Sequence, residues 1–112
     1  MDDITKKQLQ DILTAIEEID SFFEGKPKQF DEFYDDIRLR RAIEREIEII
    51  GEAMNRILKT NGSIAITNSR KIVDARNYII HGYDSLSADI LWSIVINHLP
   101  KLKEEAAALL AL

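Results

Sequence analysis

The apolar positions of the chain recur at a helical period almost throughout. Isoleucine, leucine and phenylalanine return every three or four residues, whereas the two-residue alternation typical of strands is nearly absent. Glycine and proline interrupt this pattern at only a few positions. The pattern predicts four long helices, which run from about Ile4 to Glu24, from about Asp36 to Lys59, from Thr67 or Asn68 to near Gly82, and from Ser85 or Ser87 to the end of the chain.

The interruptions themselves carry structural information. Gly25 stands where a left-handed helix cap is favoured, and Pro27 forbids a simple continuation of the first helix. The connector that follows is expected to hold a short helical turn, with Phe30 and Phe33 folded inward. Pro100 is expected to kink or restart the last helix. The sequence therefore predicts an all-α protein, an up-down four-helix bundle with one extra short helical turn.

Length and composition narrow the class of protein. The 112 residues suffice for a single domain, 1–112, with one core. No apolar run approaches twenty residues, and the polar, acidic start does not resemble a secretory signal, so we expect a cytoplasmic protein. Cysteine is absent, and His81 and His98 lack the spacing of metal ligands. We therefore expect neither a structural metal nor a cofactor.

Charge is distributed unevenly along the chain. The net charge is −5, but residues 1–36 carry −7, residues 37–60 carry +2 and the remainder is balanced. An acidic total argues against a protein that coats nucleic acid. It does not exclude a local phosphate site, and we expect such a site in residues 37–60, where the charge is positive.

On the third predicted helix an arginine lies on the apolar face. At about 100° per residue, Arg76 projects near the centre of the apolar stripe, and Tyr83 points in nearly the same direction. An arginine directed at a core must meet a carboxylate or a phosphate. Two interpretations stay open: a buried ion pair with Glu52, or a cleft in which the guanidinium binds a phosphate. The stripe itself consists of Ile72, Val73, Ile79 and Ile80.

His81 is equally ambiguous. A histidine just before a helix-ending glycine is often a C-terminal cap that the helix dipole favours. It could also be an acid or base, because an imidazole can take up a proton on one nitrogen and give one from the other. Ideal geometry separates Arg76 and His81 by roughly 140°. The two share one site only if the helix tightens or ends at Gly82, or if a second copy of the chain completes the site.

The second predicted helix carries charged residues at steps of three and four. They belong either to a solvated face with pairs such as Arg41–Glu44, or to a stripe that steers phosphates toward the acidic end. Gly51 inside this helix costs up to about 1 kcal/mol relative to alanine, which indicates a close approach by another helix or a ligand. The charged face consists of Arg38, Arg41, Arg45, Glu48 and Glu52.

Two segments together resemble a known family. "AIEREIEIIGEAMNRI" (42–57) and "RNYIIHGY" (76–83) resemble the HEPN superfamily, specifically the HepT toxin group. The likeness extends from about the first helix to Glu105. It implies a homodimeric all-α bundle and a metal-independent endoribonuclease, the toxin of a type VII-like toxin–antitoxin pair. The implied partners are an RNA substrate and a nucleotidyltransferase antitoxin of the MNT type.

The resemblance also implies roles for single residues. Arg76 and His81 would be the catalytic pair, with Asn77 in support and Glu52 beside the arginine. Tyr83 would be the tyrosine to which the antitoxin adds AMP. One position departs from the family pattern: Ser69 stands where a tryptophan is frequent, which bears on local packing rather than on the chemistry.

Two other functions remain compatible with the sequence. The chain could be a non-catalytic helical dimer that binds a nucleotide or a nucleotidyltransferase. It could also be a plain structural bundle in which Arg76 and Glu52 form a buried ion pair. None of these interpretations names the RNA.

Overall fold

The computed structural model describes residues 1–81 and 87–112, and in this part of the chain every regular element is helical. The all-α class predicted from the sequence is confirmed. The helices are α1 (Asp3–Phe22), α2 (Phe30–Asp35), α3 (Ile37–Thr60), α4 (Ser69–Ile80), α5 (Ala88–Ser93), a π-helical turn (Ile94–His98) and α6 (Leu99–Leu110).

The ends of α1 follow from local chemistry. The Asp2 carboxylate accepts a hydrogen bond of 2.6 Å from the Thr5 backbone N–H and caps the helix. At the other end the backbone turns left-handed at Gly25, with φ 73°, as predicted. Glu24 also has a positive φ, 54°, so α1 ends at Phe22, two residues earlier than the apolar pattern indicated.

The predicted turn between the first two long helices is α2. Phe33 is fully buried and Phe30 is half-buried, so both rings fold inward as expected. Trp92 of α5 packs against them, with ring centroids 5.0 Å from Phe33 and 5.9 Å from Phe30. These aromatic contacts pack α2 against α5.

Helix α3 begins and ends close to its predicted limits. Asp36 is the N-cap and accepts a hydrogen bond of 3.0 Å from the Leu39 N–H. The next helix starts after Asn68, which occupies the N-cap position with φ 56°. Thr67 donates its backbone N–H to the Glu105 carboxylate at 3.1 Å, and this contact fixes the entry of α4 to α6.

The last predicted helix is divided into three pieces. Ser87 caps α5, since its hydroxyl oxygen accepts a hydrogen bond of 3.3 Å from the Ile90 N–H. A π-helical turn follows, and α6 then restarts with Pro100 in its first turn. Proline has no N–H to donate and its ring crowds the preceding turn, so the helix widens before Pro100 and begins again. The restart was predicted; the π turn was not.

The core lies mainly between α1 and α3, while α4 packs on α3 and α6 packs on α1. No helix in the described part of the chain is long and apolar enough to cross a bilayer. The fully buried side chains of the core include Leu9, Ile12, Ile16, Ile19, Phe33, Ile43, Ile47, Ile50, Met54, Ile57, Leu91 and Leu102.

Candidate functional site

Helices α3 and α4 meet at Gly51. A Cβ atom added to Gly51 would overlap the Cβ of Arg76 and lie 2.9 Å from its Cγ and 3.1 Å from the carbonyl oxygen of Ile72. The close approach predicted from this glycine is therefore confirmed. Because the crossing is so tight, the stem of Arg76 is fixed against α3 and its guanidinium projects along the surface of that helix.

The Arg76 guanidinium is held by two neighbours. Its Nη2 pairs with the Glu52 carboxylate, and its Nη1 donates to the Asn77 side-chain oxygen at 2.8 Å. Glu52 in turn accepts from Nε of Arg56 at 3.2 Å, so one carboxylate joins two arginines. The ion pair that the helix wheel suggested is present, and it belongs to a network across the α3–α4 contact. Arg76 Nε is buried without a partner.

A cleft of about 300 Å³ opens beside this network. It lies between α1 and α3 and reaches Arg76 on α4. Among the described residues, three arginines and three acids contribute to it, so the positive and negative charges of this lining balance. Its lining residues are Gln8, Asp11, Arg45, Glu48, Ile49, Glu52, Ala53, Arg56 and Arg76.

The charged stripe on α3 divides into two parts. Arg45 lines the cleft and pairs with Glu48 at 3.4 Å. Arg38 and Arg41 are exposed and do not line it, and Arg41 pairs with Glu44 at 3.1 Å. The intrahelical pair named from the sequence, Arg41–Glu44, is therefore present. The contribution of this stripe to phosphate steering stays a prediction.

His81 lies at the end of α4 rather than in the cleft. It follows the last helical residue, its side chain is exposed, and its backbone N–H donates to the Asn77 carbonyl at 3.1 Å. The helix therefore ends at Ile80, two residues before Gly82 and near the predicted position. Within this single chain, the cleft includes Arg76 but not His81. Tyr83, the residue predicted to be modified, lies outside the described residues.

A second groove follows the outer face of α4. Its volume is about 340 Å³ and its surface is largely apolar. Tyr78 and Ile90, which are 43% and 53% exposed, stand on its two sides. Two of the α4 residues that line this groove, Asp74 and Tyr78, precede His81 by seven and three positions, so they share its side of the helix. The groove is lined by Lys71, Asp74, Ala75, Tyr78, Ile90, Ser93, Ile94 and His98.

A buried carboxyl group lies between α1 and α3. Glu46 is only 6% exposed, and its Oε2 has no hydrogen-bond partner. Burial raises the pKa of Glu46 to about 7; the charge of Glu18 on α1 and a hydrogen bond with it act in the same direction, and Arg45 opposes them. Among the described residues, no three acids or histidines are grouped to hold a metal.

Sequence reasoning missed two of these residues. Arg56 stands four positions after Glu52, a spacing that permits an intrahelical ion pair and could have drawn attention to it. Glu46 lies three residues after Ile43 and four before Ile50, both fully buried, so the apolar period places it on the buried face. The partner of Glu46 on α1 could not be identified from the period alone.

Comparison with known proteins identifies the class to which this fold and motif belong. The profile of the family described as Ribonuclease HepT-like matches residues 12–109. The chain therefore belongs to the HepT-like family of the HEPN superfamily, as its two motif segments implied.

Individual relatives agree with this assignment. A Methanocaldococcus jannaschii protein named as a candidate RNase is 33% identical over 102 residues, which cover 89% of this chain and 91% of the relative. A Thermococcus cleftensis protein named probable ribonuclease HepT is 32% identical over 99 residues, 88% of each chain. A second Methanocaldococcus jannaschii candidate RNase is 31% identical over 93 residues, 82% of this chain and 75% of the relative. No solved structure matches the chain with significance.

Proposed function

We propose that this protein is a metal-independent endoribonuclease toxin of a type VII-like toxin–antitoxin pair. The observation that carries the proposal is the R-N-x-x-x-H arrangement on α4, with its arginine at a cleft, in a chain of the HepT-like ribonuclease family. Names given to relatives describe those relatives; for this chain, RNA cleavage is our proposal.

The chemistry requires few groups. The ribose 2′-hydroxyl of RNA attacks the adjacent phosphate, and the bond to the 5′-oxygen breaks, leaving a 2′,3′-cyclic phosphate and a free 5′-hydroxyl. His81 takes or delivers a proton, the role that histidine most often has in general acid–base catalysis. Arg76 remains cationic and donates hydrogen bonds to the charge that develops on the phosphate. Asn77 and Glu52 hold the guanidinium in position for this role.

We propose that a homodimer completes the site. On an ideal helix Arg76 and His81 project roughly 140° apart, and one imidazole cannot act as base and acid in the same step. The exposed apolar groove on α4 supports a second copy as the partner. Lys71 and Asp74 line the same groove, so across a two-fold axis the lysine of each copy can pair with the aspartate of the other. Within each subunit we propose an up-down bundle of the four predicted helices.

The dimer proposal has a direct test. We expect Ile90→Asp to weaken dimerisation strongly, because it places a charge in the groove, and Ile4→Asp to leave it intact, because Ile4 is 70% exposed on α1. Sedimentation equilibrium of both variants measures the difference. Equal dimerisation of the Ile90 and Ile4 variants would show that the groove is not the interface.

We propose that an MNT-type nucleotidyltransferase inactivates the toxin by adding AMP to Tyr83. Tyr83 lies two residues after His81, so an adenylyl group there would bring bulk and a negative phosphate close to the site and repel RNA. Intact-mass measurement after coexpression with a neighbouring nucleotidyltransferase should show whole AMP increments, which Tyr83→Phe abolishes. Increments that persist in the phenylalanine variant would assign the modification to another residue.

One observation favours a second function. Arg76 is already paired with Glu52 and Asn77, and the cleft carries as many acids as arginines. A non-catalytic helical dimer that binds a nucleotide or a nucleotidyltransferase would need no more than this. Such a protein would form the complex with its partner but would leave RNA intact.

A growth assay in cells that express the chain distinguishes the ribonuclease toxin from the non-catalytic dimer. We expect the wild-type chain, expressed without an antitoxin, to arrest growth, and Arg76→Ala or His81→Ala to restore it while the protein accumulates at equal levels. If both variants remain as toxic as the wild type, the catalytic assignment is wrong. If the wild-type chain does not impair growth and its partner complex forms normally, the non-catalytic function is favoured.

A further inference from the structure

Three arginines are aligned along the cleft described above. Arg45 and Arg56 are eleven residues apart on α3, or about 16 Å along the helix axis at 1.5 Å per residue. Arg76 approaches α3 at Gly51, between the two, about 9 Å from the level of Arg45 and about 7.5 Å from that of Arg56. Guanidiniums at these levels along one groove can follow the backbone of a single strand.

The outer two arginines are accessible to a ligand. The side chains of Arg45 and Arg56 are 67% and 59% exposed, and each pairs with one glutamate of α3. A guanidinium has five N–H donors, so one such contact leaves most of them for a further acceptor. Arg76 differs because its side chain is only 21% exposed. In the cleft, one largely buried arginine, Arg76, is thus flanked by two exposed ones, Arg45 and Arg56.

We propose that the cleft is a track for a single strand of RNA, in which Arg45 and Arg56 bind the phosphates on either side of the one at Arg76. The inference rests on the proposed ribonuclease function and deepens it by assigning Arg56 as a substrate-binding residue. Arg38 and Arg41, farther toward the start of α3, extend the basic face beyond the cleft. The strand therefore lies along α3.

The cleft favours a single strand that is bound through its backbone. Its volume of about 300 Å³ is far too small to enclose a duplex. Among the described residues, no aromatic side chain lines the cleft, so this part of the chain offers bases no ring on which to stack. The arginines therefore recognise phosphate charge rather than base identity. Binding along the track should depend strongly on salt and weakly on sequence.

The acids in the cleft set the strength of this binding. Asp11, Glu48 and Glu52 line the same walls, and Glu48 and Glu52 already pair with arginines. Each phosphate must compete with these carboxylates, which keeps affinity modest. Glu48 makes this competition testable because its ion pair is with Arg45, one of the two outer arginines. Glu48→Gln should strengthen RNA binding, whereas loss of either outer arginine should weaken it.

Binding of a 2′-O-methyl RNA oligonucleotide tests the track without cleavage. The probe keeps every phosphate but lacks the attacking hydroxyl, and fluorescence anisotropy gives its affinity across a series of KCl concentrations. Arg45→Gln and Arg56→Gln should each lower the slope of log affinity against log salt by about 0.7, the value for one phosphate contact with a single strand. Lys101→Gln on α6, outside the cleft, is the charge-matched control and should leave the slope unchanged.

Further variants separate charge from structure. Arg56→Lys keeps a cation and should retain the slope that Arg56→Gln loses, whereas a purely structural role for Arg56 would give the same defect in both. With cleavable RNA, Arg56→Gln should raise KM several-fold and leave kcat nearly unchanged. Folding of each variant is checked by circular dichroism and thermal unfolding.

The outcomes distinguish the track from the ribonuclease function. If Arg56→Gln binds the probe with the same slope as Lys101→Gln, or if Glu48→Gln does not tighten binding, the track is overturned even when the wild type cleaves RNA. If the slopes change as expected but the wild type cleaves no RNA, the track stands and the ribonuclease proposal fails. A wild-type chain that does not bind the probe overturns the track.

Discussion

At the scale of single residues, Gly51 determines how closely α3 and α4 approach. The glycine lies in the middle of a long helix, where alanine would be intrinsically more favourable by up to about 1 kcal/mol. Glycine is needed here because the stem of Arg76 and the backbone of Ile72 occupy the space that a side chain would fill. The position of the proposed catalytic arginine thus depends on a residue of another helix.

Gly51→Ala should therefore destabilise the fold. The overlap with Arg76 forces the helices apart, which typically costs about 1–3 kcal/mol and outweighs the helix-propensity gain. Urea denaturation measures the free energy of unfolding. Gly62→Ala is the matched control, since its Cβ would meet only the Leu58 carbonyl oxygen at 3.6 Å, an ordinary contact. Equal stability of the two variants would contradict the tight crossing.

Glu46 should make stability depend on pH. Its pKa is about 7 in the folded state, above the ordinary value of 4.5, so the folded protein retains this proton more strongly than the unfolded chain. The stabilising contribution is complete below about pH 4.5 and is lost as pH rises through 7. Urea denaturation between pH 5 and 8 should show a decline that Glu46→Gln reduces. A decline of the same size in the variant would assign it to other groups.

The residues of the site differ in how far the sequence could predict them. The helical period predicted the direction of Arg76, and the ion pair with Glu52 was one of the two interpretations that it left open. Arg56 and Glu46 were missed because their roles depend on residues distant in sequence. Arg56 lines a cleft formed by several helices, and Glu46 faces Glu18 of α1. Tyr83 lies outside the described residues, so its position stays a prediction.

At the scale of helices, local signals determined most boundaries. Side-chain caps at Asp2, Asp36 and Ser87 start three of the helices, and each is a residue type whose short polar side chain bonds the first-turn N–H groups. The π turn before Pro100 was not predicted because the same proline could equally have produced a kink. Local chemistry fixed the place of the interruption but not its form.

Asp36→Ala should weaken α3 through the loss of its N-cap. The hydrogen bond from the Leu39 N–H disappears, and such caps contribute about 0.5–2 kcal/mol. Asp35→Ala, at the exposed end of α2, removes the same charge one residue earlier and should change the free energy of unfolding by less than about 0.5 kcal/mol. Urea denaturation compares them; equal losses would point to charge rather than capping.

At the scale of the whole molecule, one chain presents the proposed catalytic residues in two places. Arg76 faces the cleft beside α3, whereas His81 is exposed at the end of α4 and does not line that cleft. The sequence predicted this separation from the five-residue spacing, and the fold preserves it because α4 stays regular through Ile80. A second copy that covers the groove is the simplest way to bring an imidazole and a guanidinium to one phosphate.

RNA cleavage by the purified chain tests the central claim most directly. The wild type and His81→Ala, made by cell-free synthesis and matched for folding and oligomeric state, are incubated with total RNA in the presence of EDTA, and the new ends are identified. The account predicts cleavage by the wild type that leaves 2′,3′-cyclic phosphates and 5′-hydroxyls. It predicts a loss of about 100-fold or more in the variant, the usual scale of one general acid or base. Equal cleavage by both proteins, or cleavage by the wild type that EDTA abolishes, would contradict it.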